Sequence, residues 1–196
     1  VSPNCLPLFP LGTVLFPGGV LPLRIFEPRY LDLIRDCSRQ GSGFGVCLIL
    51  EGREVGEPAV PAALGCEARI IDFSTTGDGL LGITVEGARR FHVERTKVRD
   101  NGLIVADVRW LDEAPPTRLG PEHELLATLL QRLFDRAGSP HDKIEKSRFA
   151  DADWIGWRLA EWLPLAVTER QHLLQVDSPQ ARLQYLIERL PDFQPE

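Results

Sequence analysis

A chain of 196 residues, 43% hydrophobic and 26% charged, can bury a real core as one large or two small domains. Its 22 Lys and Arg against 28 Asp and Glu leave a net charge of −6, which argues against bulk attraction to nucleic acid or anionic lipid but allows a local basic patch. The four cysteines, Cys5, Cys37, Cys47 and Cys66, form no C-x-x-C pair. Scattered this way, with no signal peptide ahead of them, they read as reduced core thiols of a cytoplasmic protein.

From Leu6 to Leu23 the sequence is apolar for 18 residues, long enough to raise a membrane helix. Pro7, Pro10, Pro17 and Pro22 each remove a backbone donor, however, and Gly12, Gly18 and Gly19 weaken a helix further. No Lys or Arg precedes the run and no small-residue cleavage site follows it, which fits a secretory signal badly. The stretch therefore predicts short buried strands broken by proline turns, then a helix from about Glu27. Pro28 suits the first helical turn. Tyr30, Leu33, Ile34 and Cys37 share one helical face, and Gly41 should end the helix. Phe44 to Leu50 is a continuous apolar run of strand length. Residues 51–64, with Pro58 and Pro61, read as a loop with a polar tip.

From Gly65 to Leu111 the pattern is β throughout, with strands expected in CEARIIDF, LLGITVEG, RRFHVERTKV and LIVADVRWL. Thr76 to Gly79 and Asp100 to Gly102 carry hairpin-turn residues. Several short strands with so little helix suggest a barrel or folded-over sheet. Composition shifts at DEAPPTRLGP, residues 112–121, which reads as a linker. Helices follow. Leu125, Leu126, Leu129, Leu130, Leu133, Phe134 and Ala137 form a stripe ending at Gly138. A polar loop over Ser139 to Ser147 precedes a tryptophan-rich helix, DWIGWRLAEWL, with Asp151 and Asp153 as N-cap and dipole complement. Thr168 with Gln171 predicts a capping box for the next helix. Ser178-Pro179 opens the last, with Leu183, Leu186, Ile187 and Leu190 facing inward.

Three stretches carry a family resemblance. LPLFPLGTVLFPGGVLPLRIFEPRY, residues 6–30, EGARRF, residues 86–91, and the closing QARLQYLIERL resemble the Lon protease N-terminal domain family, the Lon substrate-binding domain. The resemblance covers essentially the whole chain, its specificity falling from front to back. It implies an α+β fold: a PUA-like β-barrel with one early helix over residues 1–113, a linker over 114–120, and a helical bundle over 121–196.

Catalytic patterns fail on inspection. Gly77 to Gly82 is a literal G-x-G-x-x-G, but a dinucleotide site needs a helix after it and here a strand is expected. His123-Glu124 begins H-E-x-x, but Ala127 stands where a second zinc ligand would be. His92, His141 and His172 have no partner at ligand spacing, so no metal and no cofactor are expected. There is no P-loop and no G-x-S-x-G elbow. Full-length Lon proteases carry ATPase and Ser–Lys proteolytic modules beyond this domain. The chain stops before either, so it should hydrolyse neither ATP nor peptide bonds.

The resemblance therefore implies a non-catalytic module that binds unfolded or tagged polypeptide, with a protease or chaperone as a further partner and no membrane role. Capture needs exposed apolar surface or an open strand edge. Candidates are Phe9, Phe16, Phe26 and Tyr30 in the opening motif, and Trp154, Trp157 and Trp162 in the helical part; burial in the core is the competing role for each. Arg24, Glu27 and Arg29 sit at a strand-to-helix junction, either as an ion pair fixing the corner, which we favour, or as the polar rim of a groove. Arg90 belongs to a basic run with Arg89, Arg95, Lys97 and Arg99. Strand alternation puts Arg90, His92 and Glu94 opposite Phe91 and Val93, as a solvated face. Two alternatives stand beside peptide capture: RNA binding by this basic strand, which lacks interleaved aromatics, and a small-molecule site in a cleft between barrel and helices.

Overall fold

Proline and glycine cut the opening apolar run into two strands, β1 over Cys5–Leu11 and β2 over Val20–Ile25. The structure, a computed structural model, describes residues 4–138 and 144–193. β1 is bonded to two neighbours in stagger: Cys5 to Pro7 face the later strand β6 (Ile104–Trp110), and Leu8 to Leu11 face β3 (Phe44–Glu51). Neither Pro7 nor Pro10 is therefore paired along both edges at once, which is how a strand tolerates a residue without an N–H.

Helix α1 spans Pro28–Gln40, with Pro28 in the first turn and Gly41 at φ 60° closing the other end. The Ser42 N–H reaches back to the Cys37 carbonyl at 3.1 Å. Only a residue without a Cβ adopts that left-handed cap cheaply. Tyr30, Leu33, Ile34 and Cys37 are buried on one face, as their spacing predicts.

β4 spans Val60–Thr75 and β5 Leu81–Val98. Two expectations are corrected here. The loop read over 51–64 is shorter, because β4 already begins at Val60; Pro61 is accommodated where the β3–β4 register is irregular, opposite Ile49. The two strands expected over 80–87 and 89–98 are one. The first half of β5, Leu81 to Glu86, pairs with β2; its second half, Phe91 to Val98, pairs with β6; and β4 runs along most of it. Register shifts at Cys66/Ala68 and Val93/Arg95 let the long strand bend.

That bend closes the sheet. The strand order is β2-β5-β4-β3-β1-β6, and β6 pairs again with β5. Strands β5, β4, β3, β1 and β6 thus form a ring, with β2 attached outside it on β5, consistent with the expected PUA-like barrel. One apolar cluster joins Phe9, Ile25, Tyr30, Leu33, Phe44 and Ile83; a second joins Leu6, Leu8, Cys47, Phe91, Ile104 and Val108. Alternate residues of β1 feed opposite clusters, so the strand is buried on both faces, and this explains its unbroken apolar sequence.

The opening motif and EGARRF meet at Gly87. The Gly87 N–H donates to the Gly19 carbonyl at 2.8 Å, and the Gly18 N–H donates to the Gly87 carbonyl at 2.7 Å. A Cβ on Gly87 would lie well inside van der Waals contact with the Phe16 carbonyl oxygen. The G-x-G-x-x-G string is the β4–β5 hairpin: Gly79 has φ 81°, and the Thr76 N–H bonds the Leu80 carbonyl at 2.8 Å.

The chain divides into two units, Val1–Asp112 and Glu113–Glu196. In the second, residues 117–119 are bonded to the start of a helix: the Ala152 N–H donates to Thr117 and the Leu119 N–H to Ala150. Its helices are α2 (Glu124–Arg136), α3 (Ala152–Trp162), α4 (Val167–Gln175) and α5 (Pro179–Arg189). On α2 only Leu126, Leu130 and Phe134 of the expected stripe are fully buried, and Leu125 is exposed. Asp151 caps α3, accepting from the N–H groups of Asp153 and Trp154. The capping box expected at Thr168 falls elsewhere. Ala166 is the N-cap of α4, and its N–H donates to Glu169 at 3.0 Å. His141 and the loop before residue 144 lie outside the described residues.

One side chain organises this unit. Arg182 on α5 is fully buried, donates to Asp153 at 2.7 Å and to the Val176 carbonyl at 2.6 Å, and lies 3.3 Å above the Trp157 ring centre. It joins α3, α5 and the end of α4.

No helix among the described residues is long and apolar enough to cross a membrane. The four thiols are free; Cys37, Cys47 and Cys66 are buried, and burial pushes the Cys47 thiol up to about 12.

Three outcomes follow from this packing. Gly87→Ala should cost more than about 2 kcal/mol in urea unfolding, whereas Gly77→Ala, which meets open space, should cost under about 0.5 kcal/mol. Arg182→Ala should cost about 3 kcal/mol or more, and Arg182→Lys should not restore it, because an ammonium cannot serve the carboxylate, the carbonyl and the ring together. Alkylation of the native protein at pH 8 should label Cys5 alone, and all four thiols once denaturant is added; mass spectrometry reads the count.

Candidate functional site

β1, β2 and the first turn of α1 border a groove of about 300 Å³. Phe9 and Tyr30 are stacked beside it with ring centres 3.9 Å apart and planes inclined by 12°. Burial raises the Tyr30 phenol, so it is neutral at any ordinary pH. Leu21 and Leu23 add apolar wall from β2, and Phe26, at 47% exposure, stands on the rim. Across the groove lies the β3–β4 loop with Glu54 and Val55, the latter 53% exposed.

Two carboxylates hold that loop. Glu54 accepts from the Gly12 N–H at 2.6 Å, and Glu27 accepts from the Gly56 N–H at 3.4 Å. Glu27 also pairs with Arg29 at 3.1 Å, and Arg29, 6% exposed, donates to the Gly102 carbonyl at 3.2 Å. The Arg29 guanidinium sits 4.7 Å from the Tyr30 ring centre. So Glu27 and Arg29 form the corner ion pair. Arg24 does not join them. It pairs with Asp78 at the β4–β5 hairpin, whose carboxyl is held below its usual range by the Thr76 hydroxyl, then by the Leu80 N–H and Arg24.

Of the residues nominated from sequence, Phe9, Arg24, Phe26, Glu27 and Tyr30 therefore line one groove. The others do not. Phe16 is 1% exposed, in the core beneath Gly87. Arg90 is 6% exposed, so the solvated face expected for it is corrected: strand alternation assigns a residue to a face but not what covers that face, and here Arg90 is buried while Arg89 is exposed. In the second unit Trp157 is buried under Arg182, and Trp154 packs edge-on against Phe134 and Phe149 at 6.3 and 5.2 Å. Trp162 is 37% exposed and edge-on to Phe134. Sequence reasoning missed Leu21, Leu23, Glu54 and Val55. The β2 leucines had a signal in their alternation; Glu54 and Val55 had none, because only the Gly12 and Gly56 bonds fold their loop over the groove. Among the described residues, no group of three His, Cys, Asp or Glu side chains could hold a metal.

The fold has known relatives. A Lon N-terminal domain protein from Xanthomonas campestris, solved as a crystal structure, is similar with a TM-score of 0.78 and 48% identity, over 97% of this chain and 99% of that one. The N-terminal domain of the Mycobacterium avium complex Lon protease shares the fold at 19% identity and a TM-score of 0.70, over 97% and 100%. In sequence, Lon protease of Cytophaga hutchinsonii is 25% identical over 198 residues, 95% of this chain and 24% of the relative. Lon protease 2 of Myxococcus xanthus is 34% identical over 93 residues, 46% and 11%. The chain thus spans a quarter or less of the length of these curated relatives. The model of the ATP-dependent protease La (LON) substrate-binding domain matches residues 5–192, and with that match over nearly its whole length the chain belongs to the Lon substrate-binding domain family.

Proposed function

We propose that the protein is a non-catalytic polypeptide-binding module that holds apolar segments of unfolded or tagged protein in the groove between β1, β2 and the β3–β4 loop, for delivery to a protease or chaperone. The observation that carries this reading is two half-exposed apolar side chains, Phe26 and Val55, facing one groove whose aromatic wall is the Phe9–Tyr30 stack. At about 300 Å³ the groove is at the small end of ligand sites and suits one or two side chains of a polypeptide that continues beyond it. β2 offers a way to hold that polypeptide. Among the described residues it pairs with no strand other than β5, and an extended segment added along its other edge would place side chains beside Leu21 and Leu23.

The rim supports peptide over RNA. Glu27 and Glu54 border the groove, and Arg24 is committed to Asp78, so phosphates would meet carboxylates there. A cytoplasmic setting, where thiols stay reduced, belongs to the same proposal and agrees with three buried free cysteines.

Fluorescence anisotropy with a labelled, permanently unfolded model protein tests capture. The folded form of that protein should not bind. Phe26→Asp and Val55→Asp should each weaken binding by about tenfold or more, roughly 1.4 kcal/mol, with little change in Tm because both positions are exposed. The unfolded protein should be recovered uncut with or without ATP. Unchanged binding by both variants would remove the groove from the reading.

A further inference from the structure

A second, larger cavity of about 770 Å³ lies in the barrel unit, bordered by β1, α1, β4, β5 and β6. Its charge is opposite to the groove's. Glu67, 6% exposed, sits at its wall and draws two guanidinium groups to one oxygen, Oε2: Arg89 through Nε at 3.3 Å and Arg69 through Nη2 at 3.6 Å. A single carboxylate cannot neutralise both, and each arginine keeps most of its N–H donors for another acceptor. Arg99 also lines the cavity, and its side chain makes no ion pair or hydrogen bond with the described residues. The other carboxylate on the lining, Asp36, lies 3.8 Å from Arg35. A local excess of positive charge thus stands in a protein of net charge −6. Beside it the wall is apolar, with Leu33, Ile70 and Leu103, and Phe73 is 53% exposed.

We propose that this cavity is a second binding site, for a peptide carboxylate carried next to an apolar side chain: the carboxylate held by Arg69, Arg89 and Arg99, the apolar group against Ile70 and Phe73. Guanidinium groups bind carboxylates through paired N–H donors, and Arg89 is held ready for this. Glu67 fixes it from one side, and the Trp110 ring lies under it at 3.9 Å. The same stacking favours peptide over nucleotide. Arg89 covers a face of Trp110, and Phe91 meets that ring edge-on at 6.0 Å, so the indole is not an open platform for a base. The site is separate from the groove of the proposed function and does not depend on it.

The carboxylate has two sources to distinguish, a free C-terminus or an internal Asp or Glu. Four labelled peptides with a common Leu-Phe core separate them: ending in a free acid, ending in an amide, and blocked at both ends with an internal Asp or an internal Asn. Anisotropy titration should show at least one acid peptide binding about tenfold or more tighter than its neutral counterpart, and the preferred pair names the source. The double variant Arg69→Gln, Arg99→Gln should abolish that preference. Both side chains are exposed, so it should melt like the parent. The charge-matched control Arg132→Gln, Arg136→Gln, on α2, should keep the preference. Equal binding of acid and neutral peptides, preference surviving in the Arg69/Arg99 variant, or a single-stranded oligonucleotide binding more tightly than any peptide would each overturn the proposal.

Discussion

Two backbones pass at Gly87 with no room between them for a side chain. The Gly18–Gly19 turn and β5 exchange hydrogen bonds there, and the Phe16 carbonyl occupies the space a Cβ would need. Much of the first unit is placed by this contact. It anchors the segment between β1 and β2, so β1 can enter the ring while β2 leaves it and lies along the outside of β5. It also buries Phe16, turning a large apolar residue of the opening motif from a candidate contact into a structural wedge.

A second constraint acts on β5 itself. A strand running from Leu81 to Val98 is too long to stay flat against one set of neighbours. It passes from β2 to β6 along its length, bends at the register shifts, and so brings β6 back to close the ring. On the same strand Arg90 is buried, whereas Arg89 is exposed and meets Trp110 and Glu67. Of the basic run in the sequence, Arg90 is thus buried, and Arg89 and Arg99 border the larger cavity. The strand-to-helix corner is held by Glu27 and Arg29, a pair that reaches both the β3–β4 loop and the β5–β6 turn. One corner therefore positions the loop that forms the far side of the groove.

The second unit is organised by different means. Its helices are short and their apolar faces narrow, and a buried arginine supplies what apolar packing alone does not. Arg182 satisfies a carboxylate, a carbonyl and an aromatic ring at once. It costs desolvation, and it makes the arrangement of α3 and α5 specific, because no other side chain has the same fork and stacking plane. Trp157, nominated as a binding residue, is the ring under that guanidinium.

Local chemistry was legible in the sequence wherever a residue acts through its own backbone or its near neighbours. Proline spacing excluded a membrane helix, Pro28 and Gly41 bounded α1, and glycines with positive φ marked the hairpins. The apolar runs of the opening motif and of Phe44 to Leu50 marked β1 and β3 as buried strands. Five of the nominated site residues share a groove because the opening motif carries strand, corner and helix start within a few residues of one another. What tertiary structure alone decided is long-range and geometric: that β5 is continuous, that Arg90 is buried and Arg24 reaches Asp78, that Glu54 and Val55 lie across the groove from Phe9 and Tyr30, and that Arg182 is buried. Each depends on a partner tens of residues away, and hydrophobic period or turn chemistry carries no information about which distant atom will lie opposite.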